Sequence, residues 1–300
     1  MYKARRGIYA AAISPVTPQG ELDLARLTAY CRHLLQDGGL DGVAPMGTTG
    51  EGTSFALADR LALPAALAGA GIATDRVILG IGAAATADSV ALARAALDAG
   101  YCNLLALPPF YYKHVGDDGL YAHYARLIDA TGDDRLRLYL YHFPQISAVP
   151  LSPALVARLR QTFGPLIAGL KDSSGDFAQT RAFVDATGGI DDGFDIYPSS
   201  ESLLFRGRAA GCAGVISGST NAFGRLVQAA LAAGPDSPQF ERVAAARDFA
   251  AGFNLIAAMK QAEYLRSGDD AWLRLQPPLV PLADSQAALF RDGLAAFRDS

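Results

Sequence analysis

Apolar and polar positions alternate along this chain on two length scales. Short runs of near-continuous apolar residues, rich in β-branched side chains, recur at Ile8–Pro15, Gly42–Met46, Arg76–Ile81, Asn103–Leu107, Leu138–Phe143, Leu166–Leu170, Phe194–Tyr197 and Gly214–Ser217. Between them lie longer segments with helical spacing: Asp23–Leu35, Ala58–Ala68, Ser89–Asp98, Leu120–Ala130, Pro153–Phe163, Ala178–Ala186, Ser202–Ala210 and Phe223–Ala233. A continuous apolar run demands a strand buried on both faces, the situation of a parallel sheet covered by helices. Eight strand–helix units predict an α/β fold, a (β/α)8 TIM barrel. A doubly wound open sheet would need a glycine-rich phosphate turn after the first strand; this chain has Ser14-Pro15-Val16-Thr17-Pro18 there.

After the eighth unit the pattern changes. Gln239 to Arg266 reads as helical throughout apart from an isolated Gly252, Gln276-Pro277-Pro278 breaks the run, and a last helix follows from about Ser285 to Arg298. The expected organisation is a barrel over residues 1–233 and a C-terminal helical extension over residues 234–300, its apolar faces packed on the barrel or on another subunit.

Composition narrows the function. At 300 residues and 51% hydrophobic, the chain can bury one sizeable core. A net charge of −4 gives no basic footprint for nucleic acid. The longest apolar stretch, Leu61–Ala73, falls short of the roughly 18 residues of a membrane span and contains Pro64. No long apolar run follows Arg5 and Arg6, so no signal peptide is expected. Cys31, Cys102 and Cys212 are odd in number and far apart, and the four histidines lack metal-ligand spacing, so neither a disulfide framework nor a metal site is expected. His123 is expected on a helix surface. The reading is a cytoplasmic enzyme with no nucleic-acid or membrane partner.

In barrels of this kind the chemistry sits at the C-terminal ends of the strands. Those ends carry Gly47-Thr48-Thr49-Gly50-Glu51, Pro108-Pro109-Phe110-Tyr111-Tyr112, Tyr141-His142-Phe143-Pro144, Lys171-Asp172-Ser173-Ser174 and Ser217-Gly218-Ser219. Lys171 follows five residues of apolar wall, and burial there disfavours a charged amine and favours the neutral nucleophile. Only four of the 26 Lys and Arg side chains are lysines, and only lysine forms an imine. The competing reading is a lysine paired with a neighbouring carboxylate. Tyr141 could relay protons or simply cap the core. The Gly47–Glu51 turn could cradle a small carboxylate or merely start a helix. Ser173 and Ser174 read as the start of the next helix.

Three motifs in order, Gly47-Thr48-Thr49-Gly50-Glu51, Tyr139-x-Tyr141-x-x-Pro144 and Gly169-Leu170-Lys171-Asp172, resemble the dihydrodipicolinate synthase / N-acetylneuraminate lyase family over essentially the whole chain. The resemblance implies a class I aldolase or lyase that needs no cofactor beyond the covalent imine of Lys171 with pyruvate, an aldehyde being the second substrate. Tyr141 would be the proton relay and Thr48 its partner. Thr49 and Gly47 would hold the pyruvate carboxylate, with Ile216 and Glu201 also lining the substrate site. Tyr112 would match the tyrosine lent across a subunit interface, implying a homo-oligomer, a dimer or the family's usual tetramer.

The chain also departs from the pattern. The synthases read Tyr-Asn-x-Pro with an arginine five residues after the tyrosine; here His142 and Ile146 stand at those places. An apolar side chain cannot grip a carboxylate. The feedback-site His and Asn appear as Leu57 and Ala84, and the sialic acid lyases' acidic pair as Glu201 and Ser202. The expectation is therefore a pyruvate-dependent aldolase or lyase of the N-acetylneuraminate lyase-like or sugar-acid aldolase kind. A dehydratase of a 2-keto-3-deoxy sugar acid, the synthase itself, and a non-catalytic 2-oxo-acid sensor are the alternatives.

Overall fold

Each apolar run becomes a short parallel strand followed by a helix. The structure, a computed structural model, describes residues 6–298. In chain order it contains β1 (Gly7–Ala10), α1 (Leu24–Gln36), β2 (Gly42–Val43), α2 (Leu57–Gly69), β3 (Leu79–Gly80), α3 (Thr86–Asp98), β4 (Asn103–Ala106) and α4 (Asp117–Thr131). Then come β5 (Arg137–His142), α5 (Pro144–Ser147), α6 (Pro153–Phe163), β6 (Ile167–Asp172), α7 (Phe177–Thr187), β7 (Asp195–Pro198), α8 (Leu204–Ala209), β8 (Gly214–Ser217) and α9 (Thr220–Ala233). Helices α10 (Pro238–Ala251), α11 (Leu255–Ser267) and α12 (Asp284–Arg298) complete the chain.

The strands pair in the orders β3-β4-β5-β6-β7 and β2-β1-β8. Two seams join these sets. Val43 bridges Val77 in parallel, with Ile78 N–H donating to Val43 O at 3.0 Å, and Ala213 N–H donates to Ile196 O at 2.9 Å. The strands thus follow one another around a ring, the (β/α)8 TIM barrel.

Alternate strand residues face opposite ways. Tyr9, Tyr139, Tyr141, Tyr197 and Ile216 pack together inside the barrel, while Ile8, Ala10, Leu138, Leu140 and Ile196 pack outward against the helices. Both faces are buried, which is why the runs are continuously apolar. Inside, the Tyr139 hydroxyl donates to Asp195 Oδ2 at 2.9 Å, and its ring lies across Gly169. A Cβ on Gly169 would sit 2.7 Å from that ring and 2.2 Å from Asp195 O. The glycine two residues before Lys171 is therefore fixed by packing.

Several strands are shorter than their apolar runs. The first run keeps inter-strand bonds as far as Ala11 N–H to Ser217 O at 2.8 Å and Ala12 N–H to Ala44 O at 3.2 Å, and Asn221 holds the chain from there: its Nδ2 donates to Ala11 O at 2.8 Å and its Oδ1 accepts from Ile13 N–H at 3.2 Å. The segment expected as one helix from Gln239 to Arg266 is two. Asn254 restarts the second by accepting from Ala257 N–H at 3.2 Å. The helix expected at Ser202–Ala210 begins as a tighter turn over Glu201–Leu203, and α5 is a short helix that the apolar pattern does not mark.

The last three helices lie on the barrel's flank. Phe249 stacks on Phe290 at 5.4 Å, and Trp272 meets Tyr30 of α1 at 4.7 Å between ring centroids. Among the described residues no helix is long and apolar enough to cross a membrane.

Candidate active site

Adjacent strands bring the sequence-predicted chemistry into register. Tyr141 of β5 pairs with Lys171 of β6, which pairs with Tyr197 of β7. Lys171 Nζ lies 4.5 Å from the centroid of the Tyr141 ring. Lys171 is 3% exposed, and among the described residues no hydrogen bond or ion pair engages its amine. Its neighbour Asp172 faces the other way, accepting from Ser174 N–H at 2.9 Å and from the Thr180 hydroxyl at 2.5 Å. The carboxylate-paired reading of Lys171 is therefore not what the fold builds.

The Tyr141 hydroxyl is flanked by Thr48 Oγ1 at 3.3 Å and by Ser173 Oγ at 3.5 Å. Phe143 stacks beside its ring at 5.9 Å. Ser173 is the residue sequence reasoning missed. It does not start a helix; α7 begins at Phe177, capped by Asp176. Strand periodicity was the available signal, because a residue two after Lys171 shares its face.

Thr48 and Thr49 sit in a tight turn after β2. Glu51 N–H closes it onto Thr48 O at 3.0 Å, Gly52 N–H onto Gly47 O at 3.1 Å, and the Ser14 hydroxyl donates to Gly50 O at 2.7 Å. Thr49 is buried, and its hydroxyl oxygen would stand 3.1 Å from a Cβ on Gly218, so the absence of that side chain leaves the turn its place beside β8. Glu51 turns inward to a buried ion pair with Lys260 of α11 and accepts from Gln276 N–H at 2.6 Å. Burial holds the Lys260 ammonium below the ordinary lysine range, with Glu51 opposing.

The remaining candidates divide. Ile216 is fully buried inside the barrel. Glu201 is buried, and the Ser219 hydroxyl lies 2.8 and 3.0 Å from its two oxygens; Ser219 in turn accepts from Arg247 Nη1 at 3.1 Å. Tyr112 is 73% exposed and packs edge-on against Tyr111 at 5.3 Å; within one chain it is not brought to Tyr141. Lys113 fastens this loop by donating to Ser147 O at 2.9 Å. Ile146 is exposed on α5.

Two histidines are buried, each with a hydrogen-bond partner of its own. His142 Nδ1 accepts from Leu151 N–H at 3.0 Å, which leaves any proton on Nε2, and its ring meets Phe183 edge-on at 5.2 Å. Burial lowers its pKa, opposed by Asp172. The outward alternate of Tyr141, it ties the chain after α5 to the barrel. His123 is not on the surface as expected. It is buried beside the Thr86 hydroxyl at 3.0 Å, and burial pushes its pKa down to about 4. A cavity of about 520 Å3 between α1, α9, α11 and α12 lies apart from Lys171, and its His33–Asp37 and Arg266–Glu263 charges are mutually paired. Among the described residues no cluster of three or more His, Cys, Asp or Glu forms a metal-ligand set.

Comparison with known proteins fits this geometry. Residues 4–248 match the family model of the dihydrodipicolinate synthetase family. The chain belongs to that family. It is 37% identical to an uncharacterized DapA-like lyase of Chloroflexus aurantiacus, with 95% of each chain covered. Among solved structures it resembles dihydrodipicolinate synthase from Agrobacterium tumefaciens, 31% identical, TM-score 0.86, covering 97% of this chain and 99% of that one. At 23% identity and TM-score 0.84, covering 97% and 98%, the fold is shared with YagE, a prophage protein of E. coli K12 solved in complex with pyruvate. Membership makes this chain a lyase of the class I, pyruvate-dependent aldolase type.

Proposed function

We propose that Lys171 Nζ condenses with the ketone of pyruvate or a kindred 2-oxo acid, and that the resulting imine makes or breaks a carbon–carbon bond at C3 of that acid. The amine adds to C2, the carbonyl oxygen takes a proton from Tyr141, and water leaves to give the imine. Loss of a C3 proton then gives an enamine whose C3 attacks an aldehyde; hydrolysis of the product imine frees Lys171. The reverse sequence cleaves the bond. The observation that carries this reading is a buried amine without a counter-charge against the ring of a phenol whose hydroxyl is flanked by two others. Such surroundings leave the amine unoccupied by a partner and give the proton a route.

In this reading Thr48 holds the Tyr141 oxygen, and Thr49 with the backbone N–H groups of the Gly47 turn receives the carboxylate. Ile216 lines the floor, and Glu201 stands on the β7–β8 side of the substrate site. Tyr112 serves a second copy of the chain, which makes the working enzyme at least a dimer; its exposure beside Tyr111 supports this. No group beyond the imine is required. The free cysteines fit a cytoplasmic setting. The exposed, apolar Ile146 favours an aldehyde without a carboxylate at that point, hence a sugar-derived or otherwise neutral acceptor over the synthase's acidic one. A Schiff-base dehydratase would share every step up to the enamine. A pure sensor would have no use for the Tyr141 relay.

The test is exchange of the pyruvate C3 protons in heavy water, followed by NMR. The wild-type protein is expected to exchange them, Lys171→Ala to lose the exchange, and Tyr141→Phe to slow it. A folded wild-type protein that exchanges nothing would overturn the reading. Turnover with a panel of neutral and acidic aldehydes then identifies the acceptor.

A further inference from the structure

We infer that the buried Lys260–Glu51 pair is a positioning device: it fixes the turn that receives the substrate carboxylate, and so sets affinity for the 2-oxo acid without touching it. The inference deepens the function proposed above and rests on it.

Lys260 and Glu51 form the one ion pair, among the described residues, with both side chains fully buried. Such pairs are weak stabilisers, because desolvating two charges offsets their attraction and well-packed apolar residues often do as well. A pair kept there invites a geometric reason, and the surrounding backbone supplies one. The turn is bracketed by two non-glycine residues in the left-handed region, Met46 at φ 60° and Glu51 at φ 53°. That conformation is costly for residues with a Cβ and persists only where the surroundings over-determine it.

Glu51 is held at three points. Its N–H closes the turn onto Thr48 O at 3.0 Å. One carboxylate oxygen meets Lys260, and the other accepts from Gln276 N–H at 2.6 Å. Lys260 Nζ donates in addition to Arg274 O at 2.6 Å. The barrel mouth, α11 and the segment carrying Arg274 and Gln276 thus converge on a single ionic point.

The far side of the same turn is the chemistry. Thr48 Oγ1 reaches the Tyr141 hydroxyl at 3.3 Å, and Thr49 lies against Gly218. Leu255, at the first turn of α11, comes to the same glycine, its Cδ2 2.9 Å from where a Cβ would stand. Helix α11 therefore meets the turn directly at Lys260, and at Leu255 it reaches the glycine beside which Thr49 lies. A binding turn held on a rigid helix loses less order when it receives a ligand.

The experiment is borohydride trapping of the Lys171 imine across a range of pyruvate concentrations, read by intact mass. It compares the wild-type protein, the charge-free Lys260→Met/Glu51→Gln double variant, and the core control Met259→Ala on the same helix. The double variant is expected to reach the wild-type extent of trapping at saturating pyruvate, with the half-saturating concentration raised about tenfold. Met259→Ala is expected to lower the melting temperature and leave half-saturation in place, an effect of stability alone. Should that variant not fold, Lys260→Gln/Glu51→Gln, which replaces the ion pair by an amide–amide hydrogen bond and leaves no unpaired charge, takes its place with the same expectation. A folded variant with half-saturation within twofold of wild type overturns the inference while the imine stands. A wild-type protein that traps no pyruvate overturns the imine, and this inference with it.

Discussion

Lys171 and Lys260 are both buried lysines within reach of the barrel mouth, and their surroundings differ in kind. Lys171, next to last in β6, lies inside the barrel with its amine against the Tyr141 ring and no carboxylate or carbonyl engaging it among the described residues. Lys260 sits on α11 outside the barrel, its amine shared between the Glu51 carboxylate and the Arg274 carbonyl. An amine already holding a carboxylate is committed to structure. One facing only apolar wall and phenol has no partner to hold it back from a ketone. On the proposed function, burial alone does not separate a reactive lysine from a structural one; the partner does.

Substitutions can break that contrast. The largest effect is expected from Lys171→Ala, which should reduce pyruvate C3 exchange by at least about 10³-fold while leaving the melting temperature near that of wild type. Lys260→Met should act in the opposite sense. Leaving Glu51 buried without its cation should cost about 3–5 kcal/mol in urea denaturation, while the imine at Lys171 can still form in whatever fraction stays folded.

Acid sharpens the picture for a buried group that has only a neutral partner. His123, beside the Thr86 hydroxyl, has a folded pKa of about 4 against an ordinary value of 6.5. The unfolded chain therefore binds more protons between those values, so stability is full above pH 6.5 and is lost as pH falls towards 4. The loss should amount to about 3 kcal/mol at the acid end, and His123→Gln should flatten that part of a denaturation-versus-pH curve. The smallest effect belongs to Ser173→Ala. Losing one long hydrogen bond to Tyr141 should slow exchange by about two- to tenfold, matching about 0.5–1.5 kcal/mol.

Much of this was legible in the residues because the barrel repeats one physical demand eight times. Strands buried on both faces must be apolar throughout, and their ends must carry whatever polar chemistry the molecule performs. Lys171 and Tyr141 stood out for that reason, and the register then placed them side by side. What escaped depended on contacts distant in sequence. Nothing local to Glu51 announces Lys260, 209 positions later. Asn254 looked like one polar residue in a long helix until its side chain was seen to restart the chain. His123 carries a polar side chain on an amphipathic helix, and only the packing of α3 against α4 puts it inside. Ser173 was legible in principle, since period two places it on the face of Lys171; helix-start chemistry is simply the commoner use of a Ser-Ser pair.

The most direct test of the central claim is to incubate the protein with pyruvate, reduce with borohydride, and map the adduct by mass spectrometry of peptides. One pyruvate-derived adduct per chain, on the peptide holding Lys171 and never on that holding Lys260, is the result the account predicts. An adduct on Lys260 or Lys113 in place of Lys171, or none from a folded protein, would contradict it.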